Sequence, residues 1–218
     1  MKRLRWFVCL IGMAWVAVAE TPDLVPLVTT FPEPLYNLEN VKGGPIELRN
    51  FDRKFKQPAL LVPRGLENLA LGKPVESIDT SVSEEILSRV TDGKKVEVVE
   101  LRLTSSKQWI QIDLEDAVEI YGIWVWHKHN NARAYVDVVV QVSDDRDFAD
   151  GKEVTVYNSD HDNSSGLGRG SDLNYLETHR GRAIAGNGTK GRFVRLYSNG
   201  SSSNELNHYV EVEVWGRK

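Results

Sequence analysis

The sequence has one cysteine, Cys9, and no proline after Pro74. A lone cysteine forms no intramolecular disulfide, and it cannot supply a cysteine cluster for a metal. Disulfide-stapled folds and cysteine-based zinc sites are therefore excluded. Because residues 75–218 contain no proline, every backbone N–H in that stretch is available for a hydrogen-bonded ladder.

The first 19 residues have the pattern of a secretory signal. A basic start is followed by an apolar run, Trp6 to Val18, and by the small-x-small cleavage site Ala17-Val18-Ala19. A membrane anchor is the alternative, but the run is about 13 residues, short of the roughly 20 that span a bilayer. We predict cleavage near Ala19 and a secreted or periplasmic protein.

The remaining chain is acidic. Loss of the three basic residues of the signal lowers 27 basic residues to 24, against 31 acidic ones, and takes the net charge from −4 to −7. Nucleic acids and anionic membranes reward clustered lysine and arginine, so neither is predicted as a partner. Exported animal domains of this size usually carry disulfides, so a cysteine-free exported chain is interpreted as bacterial.

Proline divides the rest of the chain in two. Seven of the eight prolines lie between Pro22 and Pro63, which predicts an extended leader over residues 20–66. This leader is either a flexible tether or a strap laid across the domain. Its scattered apolar residues favour partial docking over full disorder.

Residues 67–218 alternate apolar and polar side chains with the period of two that is typical of β-strands. The clearest runs are 109–114, 136–142 and 209–215, with shorter strands predicted at 96–103, 119–127, 153–158 and 192–198. One short helix is predicted over Ser83 to Val90. The pattern has no βαβ rhythm, so it predicts an all-β antiparallel sandwich, a jelly roll of about eight strands.

Several motifs follow one another over residues 68–216. They are Asn68-Leu-Ala-Leu-Gly-Lys-Pro74, Asp92-Gly93, Trp109-Ile-Gln-Ile-Asp-Leu114, Val140-Gln-Val-Ser-Asp-Asp145, Arg192-Phe-Val-Arg-Leu-Tyr197 and Glu211-Val-Glu-Val-Trp-Gly216. In this order they resemble the discoidin, or F5/8 type C, family, which shares its galactose-binding-like jelly roll with many carbohydrate-binding modules. Two features depart from the family: the terminal disulfide is absent, and no Thr-x-Trp precedes Trp109.

The resemblance implies one structural calcium ion, with Asp92 and Glu211 as its carboxylate ligands. Backbone carbonyls around Val90 and Val210 would complete the oxygen shell that calcium prefers. The alternative is that Asp92 makes a turn with the next residue and that Glu211 is an exposed strand residue. The missing Thr-x-Trp bears directly on this choice.

The resemblance also implies a ligand site in loops at one end of the sandwich, where aromatic faces stack on sugars and polar side chains bind hydroxyls. The candidate ligand-binding residues are His129, Arg133, Tyr135, Asp160, His161 and Asn207. The alternative is a hairpin turn at Asn130-Asn131, with His127 capping a strand, and a solvated loop that starts at Asp160. Trp124 and Trp126 share one face of a strand, which favours packing against the core or the leader over ligand stacking.

These patterns predict a secreted, non-catalytic module that binds a carbohydrate or glycoconjugate. The alternative is a protein–protein or cell-envelope assembly module that docks through its leader. A metal-dependent, cupin-like enzyme is a third reading, based on His127 and His129. The cupin pattern requires a carboxylate four or five residues later, and residues 130–134 contain none.

Overall fold

The computed structural model describes residues 23–36, 59–96 and 100–218. The predicted signal, and most of the leader between residues 37 and 58, lie outside the described residues. Localisation and domain boundaries therefore stay predictions. Within the described ranges, no helix is both long and apolar enough to cross a membrane.

Strands dominate the described residues. They are β1 Leu24–Pro26, β2 Leu61–Pro63, β3 Glu67–Asn68, β4 Val75–Ser77, β5 Leu101–Leu103, β6 Gln108–His127, β7 Val139–Ser143, β8 Val154–Asn158, β9 Arg182–Ser198 and β10 Asn207–Arg217. One helix, α1 Glu84–Leu87, continues as a 3-10 turn over Ser88–Thr91. The predicted short helix is confirmed. Its first turn carries acidic residues, whose charge interacts favourably with the positive end of the helix dipole.

Two long strands build both layers of the sandwich. The first half of β6 pairs with β4 and with the second half of β9, which in turn pairs with β7 and then β8. The second half of β6 pairs with β10 and with the first half of β9. Register shifts between Asp113 and Val118 mark the place where β6 passes from one layer to the other. All these pairings are antiparallel, which confirms the predicted sandwich.

The core lies between the layers. It is filled by alternate residues of the facing strands, namely Ile110, Ile112, Ile123, Val125, Val140, Val142, Val194, Leu196, Val212 and Val214. One expectation from strict alternation is wrong. A register shift between Tyr209 and Glu211 places Tyr209 in the core and Val210 on the outer face, because a bulge reverses the side on which the next residues point.

Part of the leader is docked on the outer face of the second layer. We call residues 23–36 and 59–63 the strap. Its two strands, β1 and β2, pair antiparallel, and Leu27 N donates to Leu60 O at 2.7 Å. Both leucines lie against Gly122, where a Cβ would come within 2.7 Å of Leu27 Cδ2. The glycine therefore makes room for the strap on β6.

A buried ion pair holds the strap where it crosses the sheet. Lys95 Nζ lies 2.5 Å from Glu213 Oε1, and both side chains are only 6% exposed. The same ammonium donates to Thr29 Oγ1 at 2.7 Å and to Thr30 O at 2.9 Å. Beneath it, Trp124 and Trp126 stack with their centroids 5.8 Å apart. Both indoles are buried, so the predicted packing of this face is observed.

Candidate functional site

Four loops meet at one end of the sandwich: residues 104–107, 128–138, 159–172 and 199–206. We call this end the rim. Val136 N donates to Gly200 O at 3.0 Å, which joins the second loop to the fourth. Lys107 Nζ donates to Ser165 O at 2.6 Å, which joins the first loop to the third. The loops converge because strands β6, β8 and β9 end at this rim and β10 begins there.

Asn207 links the loops of the rim to one another through its side chain. Its Nδ2 donates to Thr104 O at 2.8 Å and to Ser106 O at 3.0 Å. Its Oδ1 accepts from Ser198 Oγ at 2.8 Å and from Gly200 N at 2.7 Å. The side chain is fully buried. All of these bonds lie within the chain, so the structure assigns this predicted ligand residue the role of joining the first and fourth loops.

Arg133 organises the second loop. Its Nε donates to Asn131 Oδ1 at 2.7 Å, and its Nη2 donates to Asn130 Oδ1 at 3.1 Å. The arginine is buried, whereas both asparagines are exposed. The planar guanidinium thus fixes two amide groups at the surface, and each amide still carries an NH2 donor.

Tyr135 lies directly behind this loop. It is buried, and its hydroxyl is 3.0 Å from His208 Nδ1. Burial lowers the pKa of His208 to about 4, and the positive charges of Arg133 and Lys128 act in the same direction. The imidazole is therefore neutral near pH 7, and it supports the rim without adding charge to it.

A charged pair flanks the same loop. Lys128 Nζ donates to Glu100 Oε1 at 2.6 Å, and both side chains are partly exposed. Burial is the largest single influence and would raise the pKa of Glu100, but the hydrogen bond and the positive charge of Lys128, with smaller contributions, together make the net shift downward. Glu100 was not among the predicted site residues, because its partner lies 28 positions away, in the second loop.

His129 is buried and turned inward, with Nε2 3.0 Å from Lys95 O. It connects the second rim loop to the segment that holds the strap. His127, two residues earlier, is 2.7 Å from Glu177 Oε1 through Nδ1. The two imidazoles contact different partners, which gives no support to the cupin-like reading.

Asp160 and His161 lie in the third loop, apart from Arg133. Asp160 accepts hydrogen bonds from Ser165 N at 2.9 Å and Ser164 N at 3.1 Å. Burial by itself would raise the pKa of Asp160. These hydrogen bonds, together with one from the Ser165 hydroxyl, make the net shift downward. His161 Nδ1 is 3.2 Å from Gly170 O. The site prediction for these two residues stays a prediction, and the contacts show a loop that binds itself.

An open pocket of about 410 Å³ lies between the first and fourth loops. Its lining is almost entirely polar: Ser105, Ser106, Asn199, Gly200, Ser201, Asn204 and Glu205. The fourth loop is held against the second by Ser202 N, which donates to Ala134 O at 2.8 Å. The pocket and the amides of Asn130 and Asn131 are thus parts of one rim.

The predicted metal residues lie on the outer face of the second layer and in the loop after α1. Glu211 is fully buried, so the alternative of an exposed strand residue is wrong. Its two carboxylate oxygens lie 3.2 and 3.1 Å from Gly93 N. Burial raises the pKa of Glu211 to about 9, and the nearby charges of Asp92 and Glu213 act in the same direction.

This arrangement fits a hard cation. Asp92 and Glu211 supply carboxylate oxygens close enough to repel one another, and one of them is deprived of water. A buried carboxylate pair of this kind is stabilised by a divalent ion. In the structure, Asp92 is instead paired with the exposed Lys94 at 3.1 Å.

The fold defines the class: this is an antiparallel β-sandwich of the jelly-roll type, as the sequence predicted, and solved carbohydrate-binding modules have the same fold. Chitosan-binding module 1 of a chitosanase/glucanase from Paenibacillus sp. IK-5 superposes with a TM-score of 0.50 at 20% identity, over 69% of this chain and 99% of that one. The CpGH89CBM32-4 module of Clostridium perfringens, solved with GlcNAc-α-1,4-galactose, superposes with a TM-score of 0.50 at 15% identity, over 71% and 96%.

The sequence matches no protein-family model. It is not significantly similar to any curated protein. At the identities given above, the structural likeness establishes the fold, and the choice of ligand rests on the residues of this chain.

Proposed function

We propose that this protein is a non-catalytic carbohydrate-binding module that recognises a glycan or glycoconjugate at the rim. The observation that carries the proposal is the fixed set formed by Arg133 with Asn130 and Asn131. The fold is also that of carbohydrate-binding modules from two bacteria, which supports the same class of ligand.

The geometry suits sugar hydroxyls. A hydroxyl both donates and accepts, so neutral amides and hydroxyls bind it without the cost of burying a charge. Asn130 and Asn131 are held by a buried guanidinium, and therefore lose little conformational freedom when a ligand binds. The adjoining pocket adds further hydroxyl and amide groups.

The test replaces Asn130 and Asn131 together by alanine. Both are exposed, but their loss removes two acceptors from the buried Arg133, so a modest fall in melting temperature is expected, and binding is compared at a temperature at which both proteins stay folded. Binding to an array of terminal galactose, N-acetylglucosamine, glucosamine and fucose glycans is expected to fall at least about tenfold, the equivalent of two or three lost hydrogen bonds.

Arg217→Ala is the matched control, because this exposed residue pairs with Glu119 at the opposite end of β10 from the rim. It is expected to bind the array like the unaltered protein. Absence of signal with the unaltered, folded protein, or equal binding by the double variant, would refute the proposal.

We also propose that one structural calcium ion is held by Asp92 and Glu211. The support is the burial of Glu211 beside a second, partly exposed carboxylate, that of Asp92. The ion would fasten the loop after α1 to strand β10, and it would take no part in ligand contact.

A second candidate function, assembly with a cell-envelope protein, is favoured by the outer surface of the strap. Leu24, Val28 and Leu61 are 49%, 75% and 56% exposed, and apolar patches of this kind often mark protein contacts. Replacing all three by serine is expected to release the protein from the envelope fraction of its host while array binding persists. Unchanged fractionation would argue against assembly through the strap.

A further inference from the structure

The rim loops contribute no exposed aromatic face near Arg133. Their tyrosines, and those of the adjoining strands, are buried: Tyr135, Tyr157, Tyr175 and Tyr209. Trp124 and Trp126 face outward from the second layer, but the strap covers them. Sugar-binding surfaces gain much of their affinity from an aromatic ring that covers the apolar side of a pyranose. In this protein, such a ring has to come from elsewhere in the chain.

The strap places an aromatic ring, that of Tyr36, next to the rim. Tyr36 is partly exposed, and its hydroxyl donates to Glu177 O at 2.5 Å. Glu177 N in turn donates to Arg133 O at 2.8 Å. One residue of the chain therefore connects the tyrosine to the arginine that organises the second rim loop. Tyr36 also lies within electrostatic reach of the Arg133 guanidinium.

The strap is held firmly where it approaches this point. Phe31 packs on Trp124 with a centroid separation of 5.5 Å, and the guanidinium of Arg180 lies 5.8 Å from the Phe31 ring. Together with the ion pair of Lys95 and Glu213, which binds Thr29 and Thr30, these contacts anchor the strap a few residues before Tyr36. The ring of Tyr36 is thus supplied by a fixed segment.

We infer that the glycan site is composite, with Tyr36 of the strap as its stacking face and the amides of Asn130 and Asn131 as its hydroxyl ligands. This inference rests on the proposed function and specifies it further. The ligand class is a terminal pyranose that turns a C–H face to the tyrosine and its hydroxyl groups to the loop. The strap is therefore part of the binding site, and a tether role for residues 23–36 is excluded by the same inference.

The test compares Tyr36→Phe with Tyr36→Leu on the same glycan array and by titration with the best array ligand. The phenylalanine keeps the ring and loses the hydrogen bond to Glu177 O. We expect it to bind within about twofold of the unaltered protein. The leucine keeps apolar bulk but removes the ring, and we expect at least about a tenfold loss of affinity.

A purely structural role for Tyr36 through its hydroxyl predicts equal losses in the two variants, since both lack the hydrogen bond to Glu177 O. Two outcomes overturn the composite site: both variants binding equally well, or the phenylalanine variant losing as much as the leucine variant. If the asparagine double variant still loses binding in that experiment, the rim proposal survives and the inference about Tyr36 alone fails. Melting temperatures of both variants, and the near-ultraviolet signal of the covered tryptophans, report whether the strap stays docked.

Discussion

Replacing Glu177 by alanine is expected to lower the free energy of unfolding by about 1–3 kcal/mol, the cost of leaving a buried polar group without its hydrogen-bond partner. Glu177 and His127 are both fully buried, and the two side chains meet at 2.7 Å. The imidazole is also packed on Tyr135, with centroids 4.4 Å apart. Without the carboxylate, the imidazole keeps its desolvation cost and loses its main partner. Urea denaturation at pH 7 measures the change.

The matched control removes both members. Glu177→Leu combined with His127→Phe replaces the pair by apolar groups of similar volume, and it is expected to recover most of the loss. If the single alanine variant costs less than about 1 kcal/mol, the pair does not act as a buried polar unit, and this account of the core beneath the rim is wrong.

Stability is expected to fall as pH rises from about 5 to 9 when divalent ions are removed by a chelator. The cause is Glu211, whose pKa burial raises from 4.5 to about 9. A raised carboxyl pKa means that the folded state binds the proton more tightly than the unfolded state does. Its stabilising effect is complete below the unfolded value and is lost as pH passes through the folded value. At about 1.4 kcal/mol per pKa unit, the loss amounts to several kcal/mol.

Calcium is expected to reverse this loss, because the ion favours the ionised carboxylate. At one hundred times its dissociation constant, it would add about 2.7 kcal/mol of stability at pH 8. Glu211→Gln cannot titrate, so its melting temperature is expected to change little with pH or calcium. If calcium stabilises that variant equally well, the ion binds elsewhere. If it stabilises neither protein, the calcium proposal fails.

Most of the fold could be predicted from alternation alone. The strands around Ile110, Val140 and Val212 turn every second residue into the core, and their outer faces are largely covered as well. A local alternation pattern does not show whether two neighbouring strand segments continue into one another across a bend. Residues 108–127 form one strand, although the polar Glu115 and Asp116 resemble a turn between two. The first half of β9, from Arg182 to Gly191, was missed because its small and polar residues lack a strong apolar rhythm.

The site was harder to predict than the fold. Arg133 was selected for its residue type and its place in a rim loop, and the structure shows it organising exposed amides there. Asn207 has an equally suitable side chain, yet its four hydrogen bonds all turn inward. The sequence does not show whether an asparagine side chain points into the protein or toward solvent. Tyr36 and Glu177 were missed because their contact joins positions 141 residues apart.

The order of strands along the chain has a consequence for biosynthesis. The second layer is built around β10, at residues 207–217, and the first layer requires the final part of β9. The first layer therefore cannot close before residue 198 has been synthesised, and the second layer cannot close before β10 has been. Until then, β6 has apolar side chains and strand edges without their partners. A nascent chain at that stage is prone to aggregation, and completion of β10 removes this risk.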